Sequence, residues 1–417
     1  MPHGTRVALS NLMNYSLFDL FERSLAPFHQ AAECFAASYK ALALPTGNRI
    51  FEELWAEYEC VAVARVTHDR PEFHIESCVD HQGKLVPIST TEVASTPFAK
   101  LLRFHREHEQ PGPKILLVAP MSGHFSTLLA GTVQTLVQDH DVYLTDWINP
   151  RDIRLTEGCF GFDDYVDHVI QFLHALGSDV HLMAVCQPAV ACLAAAALMA
   201  EQSDPCEPSS LILMAGPIDT RQNPTRVNVL AKERPIEWFE RNMISLVPMP
   251  YRGCGRMVYP GVLQLTAFMS MNKERHMAAF KQLKELRRLG DHSRADAIAK
   301  FYAEYFAVMD LPAAFYIETV NRVFQEHQLP MKTMRIRGQK VDCSAIRRPF
   351  LLTIEGERDD ICGVGQTLAA QELCNRMPLY KKTHHLQPGV GHYGVFNGKR
   401  WEKRIYPVIR SFVQSIH

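Results

Sequence analysis

The stretch 182-LMAVCQPAVACLAAAALMA-200 is almost wholly apolar and long enough to cross a bilayer. Gln187 and Pro188 divide it. The residues before them are strand-like, and the alanine-rich run after them favours a helix. Proline suits the first turn of a helix, where its missing N–H costs nothing. The stretch therefore reads as a buried strand turning sharply into a buried helix, with Cys186 on the turn, and not as a transmembrane segment.

Outward from this turn the same alternation repeats. KILLVAP (114–120), DVYLTDW (141–147) and SSLILMAG (209–216) are strand candidates, and HFSTLLAGTVQTLVQDH (124–140) and FDDYVDHVIQFLHAL (162–176) are helical. Such alternation predicts an α/β fold, a mainly parallel sheet with helices on both faces. Upstream, from about Ser10 to Ala64, apolar residues recur at helical spacing (Leu17, Phe18, Leu20, Phe21; then Phe51, Leu54, Trp55, Tyr58), with Pro27 and Pro45 as punctuation. From Phe73 the period falls toward two. FHIESCVD and KLVPISTTEV, joined by the turn signal HQG, predict an antiparallel pair, and TPFAKLLRFHRE after them predicts a helix. The alternation lapses after Pro217. It resumes at PFLLTIEG (349–356), continues with the strand candidate YKKTHHLQ, and ends on the helical GKRWEKRIYPVIRSFVQSI. The expected organisation is a helical N-terminal extension (1–70), a first core segment (71–218), a cap insertion (219–342) and a second core segment (343–417).

The bulk numbers exclude several classes. The 417 residues are 47% hydrophobic and 21% charged, a globular composition. A formal net charge of -1 gives no electrostatic reason to expect nucleic acid or a general membrane-surface binder. The N-terminal sequence lacks the basic and apolar pattern of a secretory signal, so a cytoplasmic protein is expected. The 11 cysteines form no C-x-x-C pair, which indicates neither a disulfide framework nor a zinc site. No cofactor is expected. A cysteine in such a protein is far more often a small buried hydrophobe than a nucleophile, so a catalytic assignment needs more than the thiol.

Position supplies it. A nucleophile on a strand-to-helix turn, usually inside G-x-S-x-G, is exposed at the top of the sheet. A-V-C-Q-P occupies that place here, with Ala184 and Pro188 where glycine is usual. The unpaired N–H groups of the following helix favour an anion there. The partners follow in the order acid, then histidine. Gly356-Glu-Arg-Asp359-Asp360 comes after one strand and Gly391-His392-Tyr393 after the next, each at the edge where parallel sheets place catalytic groups. His392 would serve as base, and an aspartate would orient it. The G-x-x-D spacing favours Asp359, whereas Asp360 could cap a following helix. His384 and His385 lie within the strand candidate and are expected to be structural. An oxyanion hole would use the N–H of Gln187 and one from Met121 or Ser122 in the loop Pro120–His124. His124 could touch substrate, with a structural role as the default.

At these residues the sequence closely resembles the intracellular poly(3-hydroxybutyrate) depolymerases, α/β-hydrolases that mobilise stored polyester granules. The resemblance is carried by VAPMSGHFSTLL, VYLTDWINPRD, LMAVCQPAV and HHLQPGVGHYGVFNGKRW. It implies an ester hydrolase with Cys186 as nucleophile, Asp359 as acid and His392 as base, acting on polyhydroxybutyrate on or near the granule. The related polyester synthases resemble G-x-C-x-G at the nucleophile, a pattern absent here. Acyl transfer to coenzyme A, synthase-like polymerisation and a non-catalytic granule-associated role stand as alternatives, although no nucleotide-binding motif supports a dedicated coenzyme A site. The Met- and aromatic-rich insertion (Trp238, Phe239, Met243, Met249, Tyr251, Tyr259, Phe268, Met269, Met271) could bind the polymer or simply pack the cap. The N-terminal helices could pack on the core, touch the granule or join two copies as a homodimer.

Overall fold

The computed structural model describes residues 3–79, 83–107 and 111–416, with side chains from Tyr15 onward. Its centre is the parallel sheet foreseen in the alternating segments. β4 (Lys114–Val118), β5 (Asp141–Trp147), β6 (Val180–Val185) and β7 (Ser210–Met214) are joined by the strands Phe350–Gly356 and Lys382–Gln387. These six pair in parallel in the order β5, β4, β6, β7, Phe350–Gly356, Lys382–Gln387. β5, β6 and β7 are buried at every position, which explains their unbroken apolar runs: strands covered on both faces lose the alternation of half-exposed ones. β6 feeds α5 (Pro188–Glu201), buried from Pro188 through Met199. A helix apolar all round is stable only inside a protein, and α5 packs against α4 (Phe162–Leu176).

Three antiparallel strands extend the sheet beyond β5: β1 (Ser77–Val79), β2 (Leu85–Ser95) and β3 (Ala99–Arg106). The antiparallel pair read from the sequence is thus present, although His81 and Gln82 of its turn lie outside the described residues. The helix expected over Thr96–Glu107 is instead strand β3. Pairing on both sides overrides local helix propensity. The polar residues that suggested a solvent-facing helix surface find cross-strand partners: Lys100 pairs with Glu92 at 2.8 Å and Arg103 with Asp141 of β5.

The N-terminal segment forms α1 (His3–Thr46) and α2 (Arg49–Val63), and α1 runs on through Pro27. Between β7 and the Phe350–Gly356 strand the chain makes an excursion of helices, among them Arg226–Lys232, Ile236–Met243, Gly261–Met271, Lys273–Arg288, His292–Phe306 and Ala313–Thr319. A small three-stranded sheet, Ser245–Leu246, Met257–Tyr259 and Leu311–Pro312, ties them together. Within the described residues no helix is long and apolar enough to cross a membrane.

Candidate active site

At the end of β6 the chain reverses through Cys186, whose φ of 68° is left-handed. That conformation costs a non-glycine residue on the order of 1–3 kcal/mol and persists only where surroundings enforce it. The Cys186 N–H donates to the Met214 carbonyl at 2.8 Å, and its own carbonyl accepts from the Ala189 N–H at 3.1 Å. The turn also needs empty space. With Ala184 and Pro188 at the usual glycine positions, the space comes from Gly216, just past β7. A Cβ there would lie 2.2 Å from the Ala189 Cβ and 3.2 Å from the Cys186 carbonyl oxygen. Thr367 Oγ1 pins Gly216 by accepting from its N–H (2.8 Å) and donating to its carbonyl (3.0 Å). Neither Gly216 nor Thr367 stood out in the sequence; the one signal was a glycine ending the strand beside the nucleophile's own.

The loops of Asp359 and His392 leave the next two strands. His392 Nδ1 lies 2.8 Å from Asp359 Oδ2, while Asp359 Oδ1 accepts from the N–H groups of Ile361 (2.9 Å) and Cys362 (2.8 Å). Asp360 points elsewhere: it caps no helix and accepts from Asn272 Nδ2 at 2.7 Å. Of the two aspartates it is Asp359, the one favoured by spacing, that meets His392. The G-x-x-D spacing has a steric basis, since a Cβ on Gly356 would sit 2.7 Å from the Val390 carbonyl oxygen. The two loops are stitched there, Glu357 N–H to Gln387 O (3.0 Å) and Arg358 N–H to Val390 O (2.9 Å). The Cys186 sulfur acts on the same imidazole electrostatically. Burial by itself pulls His392 toward neutrality, but the Asp359 carboxylate and the Cys186 sulfur outweigh it and hold the imidazole well above the ordinary histidine range.

The loop after β4 closes the other side. The Ala119 carbonyl accepts from Trp147 Nε1 (2.8 Å) and Tyr165 OH (2.9 Å), and the Ala119 N–H donates to Thr145 Oγ1 (2.9 Å). This fixes Met121 and Ser122 beside Cys186 and Gln187 in one cavity wall. The Met121 N–H donates to the Gln187 side chain at 3.3 Å, so it is free for another acceptor only if that amide moves. His124 is buried, its Nε2 lies 3.2 Å from the Tyr305 carbonyl, and burial pushes it down to about 4, which fits the structural default. His384 meets Thr353 Oγ1 at 3.0 Å within the sheet, as expected of a structural residue.

Above Cys186 is a cavity of about 240 Å³ with mainly apolar walls. Of the insertion residues singled out in the sequence, Phe239, Tyr259, Phe268 and Met271 line it. Tyr251 instead bonds to Asp19 and Arg23 of α1, and Met269 packs in a separate apolar cluster. Tyr259 stacks on Tyr316 at 3.9 Å between ring centroids, forming a flat aromatic wall. Such a site, apolar with a few convergent polar groups, suits a hydrophobic ester.

Residues 215–417 match the family described as PHB de-polymerase C-terminus. The match takes in the excursion and the loops of Asp359 and His392 but stops short of Cys186. It agrees with the resemblance read from the sequence and supports carboxylic ester hydrolysis. No curated protein matches the chain. Among solved structures it is similar to a malate-bound esterase from Thermogutta terrifontis (14% identity, 79% of this chain and 99% of that one, TM-score 0.41). It is also similar to the esterase RhEst1 from Rhodococcus sp. ECU1013 (15%, 79% and 100%, TM-score 0.43) and to DcsB with its substrate analogue (12%, 79% and 100%, TM-score 0.44). Likenesses of this size carry no functional inference. The sheet order, the turn at Cys186 and the order of the loops that follow it are those of an α/β-hydrolase.

Proposed function

We propose that this chain, whose residues 215–417 match the PHB de-polymerase C-terminus family, hydrolyses ester bonds of stored amorphous poly(3-hydroxybutyrate) through an acyl-enzyme on Cys186. One observation carries the reading: a half-buried thiol on a strained turn, facing an imidazole bonded at 2.8 Å to a buried carboxylate, under an apolar cavity. A cysteine in a structural role has no need of that φ or of that neighbour.

In this reaction His392 takes the proton of Cys186, and the sulfur attacks the ester carbonyl. The Gln187 N–H, with Met121 or Ser122, stabilises the oxyanion. His392 returns the proton to the departing 3-hydroxyl group, leaving a thioester, and then draws a proton from water as it attacks; the carbon–sulfur bond breaks, the acid leaves, and that proton goes back to Cys186. Asp359 keeps Nδ1 protonated and steadies the charged ring throughout. Oligomers and 3-hydroxybutyrate are the products, and the granule surface is the place of action. The segmentation into N-terminal extension, two core segments and a cap over 219–342 is part of this proposal, the cap forming the roof of the cavity.

Cys186→Ala protein with an unchanged melting curve should release no acid from amorphous polymer particles. Mass spectrometry of the wild-type products with and without added coenzyme A separates hydrolysis from thiolysis. Acid release by the variant would refute the acyl-enzyme, and thioester products would refute water as acceptor.

A further inference from the structure

Helix α1 is fastened along one side only. Tyr15 OH donates to Asp310 Oδ2 at 2.5 Å, Glu22 meets His68 at 3.1 Å, Asp19 bonds to Tyr251, and Ala32, Ala36 and Ala43 are buried. The opposite side is largely open and unusually apolar, although the Phe35 ring also meets Tyr58 of α2 at 5.0 Å between centroids. Leu17 is 60% exposed, Phe21 59%, Phe28 69%, Phe35 48% and Leu42 46%. The positions three residues after each phenylalanine are small and also exposed: Ser24, Ala31 and Ser38. Large and small residues thus alternate at spacings of four and three, the 3.5-residue repeat that keeps one stripe facing a partner helix. The stripe and its rim from Leu17 to Leu42, with Leu20, Pro27, Cys34 and Ala41 added, hold no charged side chain.

We infer that this face pairs with the same face of a second copy of the chain, antiparallel, about a two-fold axis passing between His29 and Gln30. The pattern is self-complementary in that one register. Phe28 of each copy meets the other's Ala31, Phe21 meets Ser38, Phe35 meets Ser24, and Leu17 closes on Leu42 at both ends. Each ring enters a notch left by a small residue, and no ring meets a ring. An isologous contact of this kind is what two-fold symmetry demands. The paired length is about 38 Å at 1.5 Å per residue. Covering the three phenylalanines with Leu17, Leu20 and Leu42 removes on the order of 600 Å² per copy before the small residues are counted, approaching the roughly 800 Å² per partner of a standard stable interface. A polymer or lipid surface would be the other occupant of such a face. It needs no alternation of large and small, and interfacial helices are typically flanked by a strongly basic face, whereas α1 carries Asp19, Glu22 and Glu33 as well as Arg23 and Lys40.

The full chain is followed by sedimentation velocity across a wide concentration range. The wild type should dimerise, and Phe28→Ala and Ala31→Phe, each leaving circular dichroism and melting unchanged, should each weaken the dimer roughly a hundredfold, the contact being made twice. The swap variant Phe28→Ala/Ala31→Phe restores ring and notch in reversed order and should recover the dimer. In a separate variant, Phe28→Cys/Ala31→Cys should form disulfide-linked dimers under mild oxidation. A wild type that is monomeric throughout overturns the inference, as does a swap no tighter than its single parents. A monomer whose adsorption to polyester particles strengthens with Ala31→Phe overturns it too and gives the face to the polymer.

Discussion

Gly216→Ala should cripple catalysis at modest cost to stability. The added methyl carbon would lie 2.2 Å from the Ala189 Cβ and 3.2 Å from the Cys186 carbonyl oxygen, whereas carbon atoms in contact stand about 3.5–4.0 Å apart. The first turn of α5 must therefore retreat by roughly 1.3 Å or more, taking the Gln187 N–H and the Cys186 turn with it. Overpacking of this kind costs about 1–3 kcal/mol, a Tm loss of a few degrees in a chain of this size. A displacement near 1 Å in a catalytic group costs about a hundredfold in rate. The assay is kcat/KM on a soluble short-chain ester, beside a melting curve. The internal control is Ala189→Gly in the same chain, which deletes the other half of the clash at a helix-propensity cost of about 1 kcal/mol and should recover at least tenfold of the lost rate, on the order of 1.4 kcal/mol. Full activity in Gly216→Ala, or a double variant no better than the single, would refute the account of how this turn is accommodated.

Asp359→Asn should lower kcat by about 10³–10⁴-fold through loss of the tautomer that presents His392, while Asp360→Asn, which disturbs a bond to Asn272, should stay within about tenfold of wild type on the same ester. Burial opposes protonation of His68, but Asp310 and Glu22 lift it to about 9. The stability this contributes is therefore complete below about 6.5 and lost as pH rises through about 9. Denaturant titrations should give a gap between wild type and His68→Gln of on the order of 3 kcal/mol near pH 6 that closes by pH about 10; a gap independent of pH would count against it. Ala267→Trp places a ring in the cavity from an exposed wall position and should lower kcat/KM for the polymer tenfold or more, roughly 1.4 kcal/mol, with the melting curve unmoved. An unaltered kcat/KM would mean substrate does not enter this cavity.

How much of this was legible beforehand varies by residue. The Leu182–Ala200 run announced both β6 and α5, because burial on every side leaves a continuous apolar signature broken only where the chain turns. The nearness of the loops that bear Cys186, Asp359 and His392 was legible because strand ends in a parallel sheet share one edge. Thr96–Glu107 misled, since Leu101 and Phe104 are spaced as on a helix and Asp141, the cross-strand partner of Arg103, is remote in sequence. Gly216 could not be valued from its neighbours along the chain. Its worth is the 2.2 Å that separates a hypothetical methyl from Ala189, a distance set by two strands and a helix together. Asp359 and Asp360 differ by a single peptide unit, and only the direction of each side chain tells which one meets His392.

The cavity wall bears on selectivity. Phe239, Tyr259, Phe268 and Phe315 can offer the side group of an ester substrate surface contact but little direction. One methylene more or less on that side group is worth only about 1–3 kcal/mol in such a pocket, ten- to two-hundredfold. Preference among ester substrates should accordingly be graded, with a ceiling set by volume. Changes at the wall could shift that ceiling toward longer or shorter repeat units while the sulfur, the imidazole and the carboxylate stay where they are.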